Sequence, residues 1–185
     1  MFYRAPKLTV KYLKEMIASD KFKDLPESTQ LSYKLLLDKK LKRHTDRMKL
    51  RKAEKQEEAK RVAEAMKDIH VGDLFSASWG WEQTNVDFFQ VVEIVGKGSV
   101  RVRAVNPVLL SSDEGMMCAD RTYEIPQNGE LLPPSKWSTF IKDNVRGDVK
   151  RIQCYGTRPS FKLSSFASAY KEEGKTTKHY ESWYA

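Results

Sequence analysis

Residues 78–89 read SWGWEQTNVDFF. Trp79 and Trp81 flank Gly80; Gln83, Thr84, Asn85 and Asp87 follow; Phe88 and Phe89 close the run. Aromatic faces beside amide and carboxylate groups can stack a base or a nucleotide, at about 1–3 kcal/mol per stacked base, while Asn, Gln and Asp read base edges. Trp79, Trp81, Gln83, Thr84, Asn85, Asp87 and Phe89 are therefore candidate binding residues, and Trp183 and Tyr184 join them if the last strand lies near. The same residues also suit a packed β-hairpin with a hydrogen-bonded polar tip, because large aromatics are mostly core.

A second constellation is electrostatic. Between Lys39 and Lys52 stand Lys39, Lys40, Lys42, Arg43, Arg47, Lys49, Arg51 and Lys52 against Asp46 alone, a local charge of +7 in a chain whose total is +8. At helical spacing Lys39, Lys40, Arg43, Arg47 and Arg51 gather on one face, where they could neutralise phosphates. A basic balance, with a pI near 9.4, favours polyanions as partners: nucleic acid, acidic protein surfaces or nucleotides. The plain alternative is a solvated face held by ion pairs. The stretch RKAEKQEEAKR supports that alternative, since its mixed signs offer neighbouring Glu–Lys pairs; the stretch before it does not.

Catalytic and metal chemistry leave no comparable signature. P-loop, GxSxG, HExxH and CxxC patterns are missing from the sequence. Asp87 with Glu82, and His70 with Asp73, are pairs whose spacing specifies no reaction, and His70 reads as a cap on the last carbonyls of a helix. Cys118 and Cys154 fit neither a zinc site nor a redox pair, and His44, His70 and His179 are scattered, so no metal or cofactor is expected. No apolar run approaches the ~20 residues that span a bilayer. The start, MFYRAPKLTV, lacks the apolar region of a signal peptide. The expectation is a non-enzymatic cytoplasmic protein that engages no membrane.

Two periodicities must position these residues. Residues 1–69 read as a helical arm. Thr9 caps a short helix over about 9–19 that places Tyr12, Leu13, Met16 and Ile17 on one face. Pro26 and Glu27 suit the first turn of a long basic helix over about 26–69, a stretch free of Pro and Gly and about 60 Å long at 1.5 Å per residue. Its apolar stripe (Tyr33, Leu37, Leu41, Met48, Ala59, Val62, Met66, Ile69) is apolar at both ends and weak in the middle, so the middle is expected to project as a cationic arm. From residue 70 to 185 the pattern becomes β. LFSASWGW, DFFQVVEIVG and SVRVRAV read as strands, with GKG as a turn. VNPVLLSSDEGMMCADR and QNGELLPPSKW read as loops, and TYEIP as a short strand. VKRIQCYG and SFKLSSFASAY are further strands, and KEEGKTTK is a hairpin turn. The fold class is α+β, with an SH3-like barrel or a bent antiparallel sheet after the helices.

The run GDLFSASWGWEQTNVDFFQVVEIVGKGSVRVR, with SFKLSSFASAY and the terminal YESWYA, resembles a family of small proteins carried by phages, plasmids and other mobile elements. Members carry a motif like SWGYxQTNxDFYxVV and end near an aromatic tail. The resemblance covers about residues 71–185 and leaves out the helical arm. Trp81 and Phe89 stand where the family has Tyr, and KEEGKTTK replaces a WDGKP-like turn. The resemblance implies a mobile-element origin and leaves the chemistry open; such accessory proteins often counter host defence. The expected function is binding of nucleic acid or a nucleoprotein through the basic arm and the aromatic hairpin. Two alternatives remain open. One is a protein–protein inhibitor or adaptor of a host factor, whose long helix lies in a groove or self-associates with a copy of itself. The other is a nucleotide sponge built on the Trp79–Phe89 hairpin.

Overall fold

Thr9 opens the first helix as the sequence pattern requires: its hydroxyl accepts from the Tyr12 amide at 3.1 Å, and α1 runs Val10–Ala18. The structure, a computed structural model, describes residues 8–156 and 158–183. A short helix that the sequence reading did not separate, α2 (Asp20–Lys23), follows after Ser19. Then α3 runs unbroken over Glu27–Ala65, immediately after Pro26, and ends in a 3₁₀ turn, Met66–Asp68. The chain divides into two compact units, residues 1–56 and 57–185, so the division falls inside α3.

In the first unit, burial of Leu13 and Phe22 holds the helices together. Phe22 meets Tyr33 edge-on, with ring centroids 6.3 Å apart. Gln30 ties down the α2–α3 connection by donating to the Leu25 carbonyl at 2.9 Å. Lys40, partly covered, donates to the Leu8 carbonyl.

In the second unit, the strands are β1 (Leu74–Trp79), β2 (Asn85–Val95), β3 (Ser99–Val105), β4 (Leu109–Gly115), β5 (Cys118–Glu124), β6 (Asp148–Tyr155), β7 (Arg158–Lys162), β8 (Ser168–Lys171) and β9 (Thr176–Ser182). Six of them close an antiparallel barrel in the order β1-β2-β3-β6-β7-β8, with β8 pairing back to β1. The other three form a separate sheet, β4-β5-β9. The α+β class and the small barrel are therefore present as the two periodicities imply.

Alternation along the strands fills the barrel. Phe75, Phe89, Val91, Val100, Val102, Ile152 and Phe161 are all fully buried inside it, and Val62 and Ile69, from and just after α3, join the same cluster. The opposite face of β2 presents Phe88 to a second cluster with Leu74, Val105, Tyr123 and Ile125, which the three-stranded sheet covers. Gln90 is buried between them with its amide fully used. It donates to the carbonyls of Gly72 at 2.9 Å and Glu130 at 2.7 Å, and it accepts from Leu132 at 2.8 Å. An unpaired amide there would cost about 1–3 kcal/mol.

Three expectations about the strands need correction, the first being that SFKLSSFASAY, read as one strand, spans β7 and β8, which pair antiparallel with each other. Residues 109–124, read as a loop followed by a short strand, form the β4–β5 hairpin. KEEGKTTK is not a hairpin turn, because β8 pairs with β1 and β7 while β9 pairs with β5.

Candidate nucleic-acid interface

Lys39, Lys42, Arg43, Arg47, Lys49, Arg51 and Lys52 are all exposed on α3. None of the seven makes an ion pair among the described residues, although Glu57–Arg61 and Glu64–Lys67 pairs form farther along the same helix. Stepping by four along a helix keeps Lys39, Arg43, Arg47 and Arg51 on one ridge, and no acid forms an ion pair with that ridge among the described residues. Lys40 differs, since its ammonium group is engaged by the Leu8 carbonyl.

The hairpin is built on pairing that places Phe75 opposite Phe89, Ala77 opposite Asp87 and Trp79 opposite Asn85. Residues 80–84 make the tip. Gly80 sits at φ +129°, and a Cβ there would lie 1.8 Å from the Gln83 carbonyl oxygen, so only glycine closes this return. Gln83 donates to the Asn85 side-chain oxygen at 3.2 Å. Thr84 is joined to the last strand: its amide donates to the Ser182 carbonyl at 3.1 Å and hydroxyl at 2.9 Å, and its carbonyl accepts from the Ser182 amide at 3.0 Å. The polar run thus knits the barrel to the three-stranded sheet.

The aromatics separate by face. Phe89 is 0% exposed in the barrel core, which leaves it no free ring face for stacking. Trp79 closes one end of that core. Its indole N–H donates to Asp87 Oδ2 at 2.7 Å, and its ring meets Phe140 edge-on at 5.3 Å. Burial pushes the Asp87 carboxyl above its usual range and the nearby Glu181 adds to that, while the Trp79 hydrogen bond opposes it. Trp81, in contrast, is 99% exposed at the tip. Trp183 lies under the Arg121 guanidinium, 5.6 Å from its ring centroid; Tyr184 lies outside the described residues. Of the candidate set, Trp81 is almost fully exposed and Gln83 exposed, Thr84, Asn85 and Asp87 are half-covered by their own contacts, and Phe89 is enclosed.

Aromatics that the sequence reading did not place in the candidate site extend the exposed side of this end. Phe140 bridges Trp79 to Phe166 at 6.1 Å, and Phe166 is largely exposed. Trp137, three residues before Phe140, is also exposed. The signal was an aromatic pair in KWSTF within a proline-containing loop, a costly choice for a mere connection.

A Ser–Glu–His set also occurs. Ser76 donates to Glu172, and Thr177 donates to Glu172 Oε2 at 2.8 Å. His179 Nε2 lies 3.4 Å from Oε1, and Arg158 lies 3.4 Å from Oε2. Burial alone would raise the Glu172 pKa, but hydrogen bonds from His179, Ser76 and Thr177, with the His179 charge, outweigh it and hold it at about 2. The carboxylate stands between serine and histidine, whereas an activated serine needs the histidine next to it. The set therefore reads as a clamp between β1, the end of β8 and β9. Asp73 is likewise used structurally: it accepts from the His70 amide at 2.8 Å and pairs with Lys171 at 2.8 Å. Among the described residues no three His, Cys, Asp or Glu side chains gather to hold a metal, and no helix is long and apolar enough to cross a membrane.

No family model, curated protein or solved structure matches this chain.

Proposed function

We propose that this protein binds nucleic acid or a nucleoprotein, with the cationic ridge of α3 contacting phosphates and the exposed aromatics of the hairpin end contacting bases. The observation that carries the reading is the ridge itself. Lys39, Arg43, Arg47 and Arg51 are exposed and lack an acidic partner among the described residues. Structural charge runs ordinarily carry their own counter-charges, as residues 57–67 do here. The ridge covers about 18 Å of helix axis, and duplex DNA presents one charge per about 1.7 Å, so each of the four cations finds a phosphate. The motif resemblance suggests the setting: an accessory protein of a phage or other mobile element, acting on host defence in the host cytoplasm.

The test is fluorescence anisotropy with labelled single-stranded and duplex oligonucleotides. Four phosphate contacts predict a log–log salt slope of about −2.8 on single strands and −3.6 on duplex, or a loss of about 50- to 150-fold between about 50 and 200 mM salt. Replacing Lys39, Arg43, Arg47 and Arg51 by Gln should flatten that slope. Absence of binding by the parent protein at about 50 mM salt would refute the reading.

A second reading is favoured by Leu31 and Leu35, one helical turn apart on α3 and 57% and 60% exposed. Such a pair suits a protein groove or a second copy of the helix, as an inhibitor or adaptor requires. Leu31→Glu with Leu35→Glu should then abolish capture of that partner, or shift the mass in light scattering if the partner is another copy. Unchanged behaviour in both measurements removes this alternative.

A further inference from the structure

The outer face of the barrel holds a second basic feature, which the sequence reading did not single out. Alternation on β3 sends Val100, Val102 and Ala104 inward and Arg101 and Arg103 outward. Beside them the loop before β6 brings up Arg146. The three arginines line one surface cavity of about 500 Å³ with Glu93, Leu131 and Val145. Glu93 is already committed, accepting from Arg101 Nε at 2.7 Å. The lining is therefore +2, three guanidinium groups against one carboxylate.

The cavity is rigidly built. Asn144 donates to the carbonyls of Ala104 at 2.9 Å and Ser135 at 2.7 Å, and its side-chain oxygen accepts from the Ala104 amide at 2.6 Å. Asp143 Oδ1 accepts from the amides of Val145 and Arg146, both at 3.1 Å, so the loop tip is fixed. Gly147, at φ +82°, lets the loop press against β3: a Cβ there would lie 2.7 Å from the Val102 oxygen and 3.1 Å from Cγ of both Arg101 and Arg103. The stems of these arginines are thus packed before any ligand arrives. Among the described residues Arg103 Nε is buried without a hydrogen-bond partner and Arg103 makes no ion pair. Buried donors are almost always satisfied, and an orphan of this kind calls for an explanation.

We infer that this cavity is a phosphate-binding site, and that it takes a phosphate of the nucleic-acid strand in the proposed function, on which the inference rests. Guanidinium forks match phosphate oxygens in paired geometry. The volume lies in the range of small-ligand clefts and admits a nucleotide unit. Leu131 and Val145, exposed on the rim, offer apolar surface to the attached sugar or base. The barrel then carries a phosphate site of its own, separate in sequence from the α3 ridge.

The experiment compares the parent protein, the ridge variant of the preceding section, Arg103→Gln with Arg146→Gln, and Arg146→Glu alone. Arg146 is exposed, so its variant keeps the test open if the double variant unfolds. With a labelled single-stranded oligonucleotide, loss of the one phosphate contact lowers the salt slope by about 0.7 and the affinity by about 8-fold at about 50 mM salt. Arg146→Glu should give a smaller loss in the same direction. A folded double variant with parental affinity and slope overturns the cavity assignment while leaving the nucleic-acid reading intact. No binding by the parent protein overturns both. If inorganic phosphate raises the melting temperature of the parent but not of the double variant, with strand binding equal in the two, the site takes small anions and the strand assignment falls.

Discussion

Among the described residues, Glu172 is a carboxylate whose surroundings promise a large, signed effect on stability. It is 9% exposed and ringed by Ser76, Thr177, His179 and Arg158. The folded protein holds it at about 2 against an ordinary 4.5, which corresponds to about 3 kcal/mol of preference for the ionised form. Because the folded value is depressed, this stability is complete above about 4.5 and fades as pH falls toward about 2, by up to about 1.4 kcal/mol per pH unit. The perturbation is Glu172→Gln, which mimics the protonated acid in shape. Urea unfolding followed by tryptophan fluorescence, at pH values from about 5.5 to 2, gives the difference between parent and variant. Carboxylates common to both proteins cancel in that difference. It should be about 3 kcal/mol at the upper end and approach zero at the lower. A difference that stays constant over the whole range would refute the reasoning, since the ionised carboxylate would not be what joins the barrel to β9.

Two predictions concern the hairpin. Phe89→Ala should cost about 3–5 kcal/mol in urea unfolding, as a large cavity in a packed core does, whereas Trp81→Ala should change stability by less than about 0.5 kcal/mol and still weaken oligonucleotide binding; a stability loss at Trp81 or none at Phe89 would invert the assignment of faces. Gly80→Ala should destabilise by about 1–3 kcal/mol or more through strain at the tip, and protection of the Thr84 amide from hydrogen exchange should drop with it; retained protection would mean that the tip does not depend on this return.

The helical half was legible because its determinants are local. Thr9 as a cap, Pro26 before the long helix and the cation ridge are all read within a few residues. The Phe75–Phe89 pairing was legible in part, since Trp79 and Val86 bracket the turn. What escaped depends on partners distant in sequence. All seven residues of β4 are exposed, so it has no alternation to read, and its hairpin turns at Met116–Met117 with Met117 at φ +62°, a position where Gly or Asn is the usual signal. The β9 strand was mispaired because KEEGKTTK has turn composition whether the chain folds back or moves on to another sheet. The Arg101–Arg103–Arg146 cavity escaped for the same reason. Arg146 lies 43 residues beyond Arg103, and no spacing rule joins it to the pair on β3.

The density of aromatics in residues 78–89 follows from β2 serving two cores at once. Phe89 enters the barrel, Phe88 enters the cluster under the three-stranded sheet, and Trp79 closes the barrel end against Phe140. A strand buried on both faces loses its alternation, which is why the pattern alone could not separate a platform from a core. The polar residues between them are needed for the same construction, since Thr84 must bond Ser182 and Asp87 must receive the Trp79 N–H. Once those demands are met, Trp81 and Gln83 remain exposed at the tip. Affinity for a polyanion must therefore come chiefly from cations rather than from base edges, so the steep salt dependence predicted above should be accompanied by weak sequence preference. Oligonucleotides of equal length and different sequence should bind within a few-fold of one another; a tenfold or larger spread, about 1.4 kcal/mol, would require base readout that this hairpin does not offer.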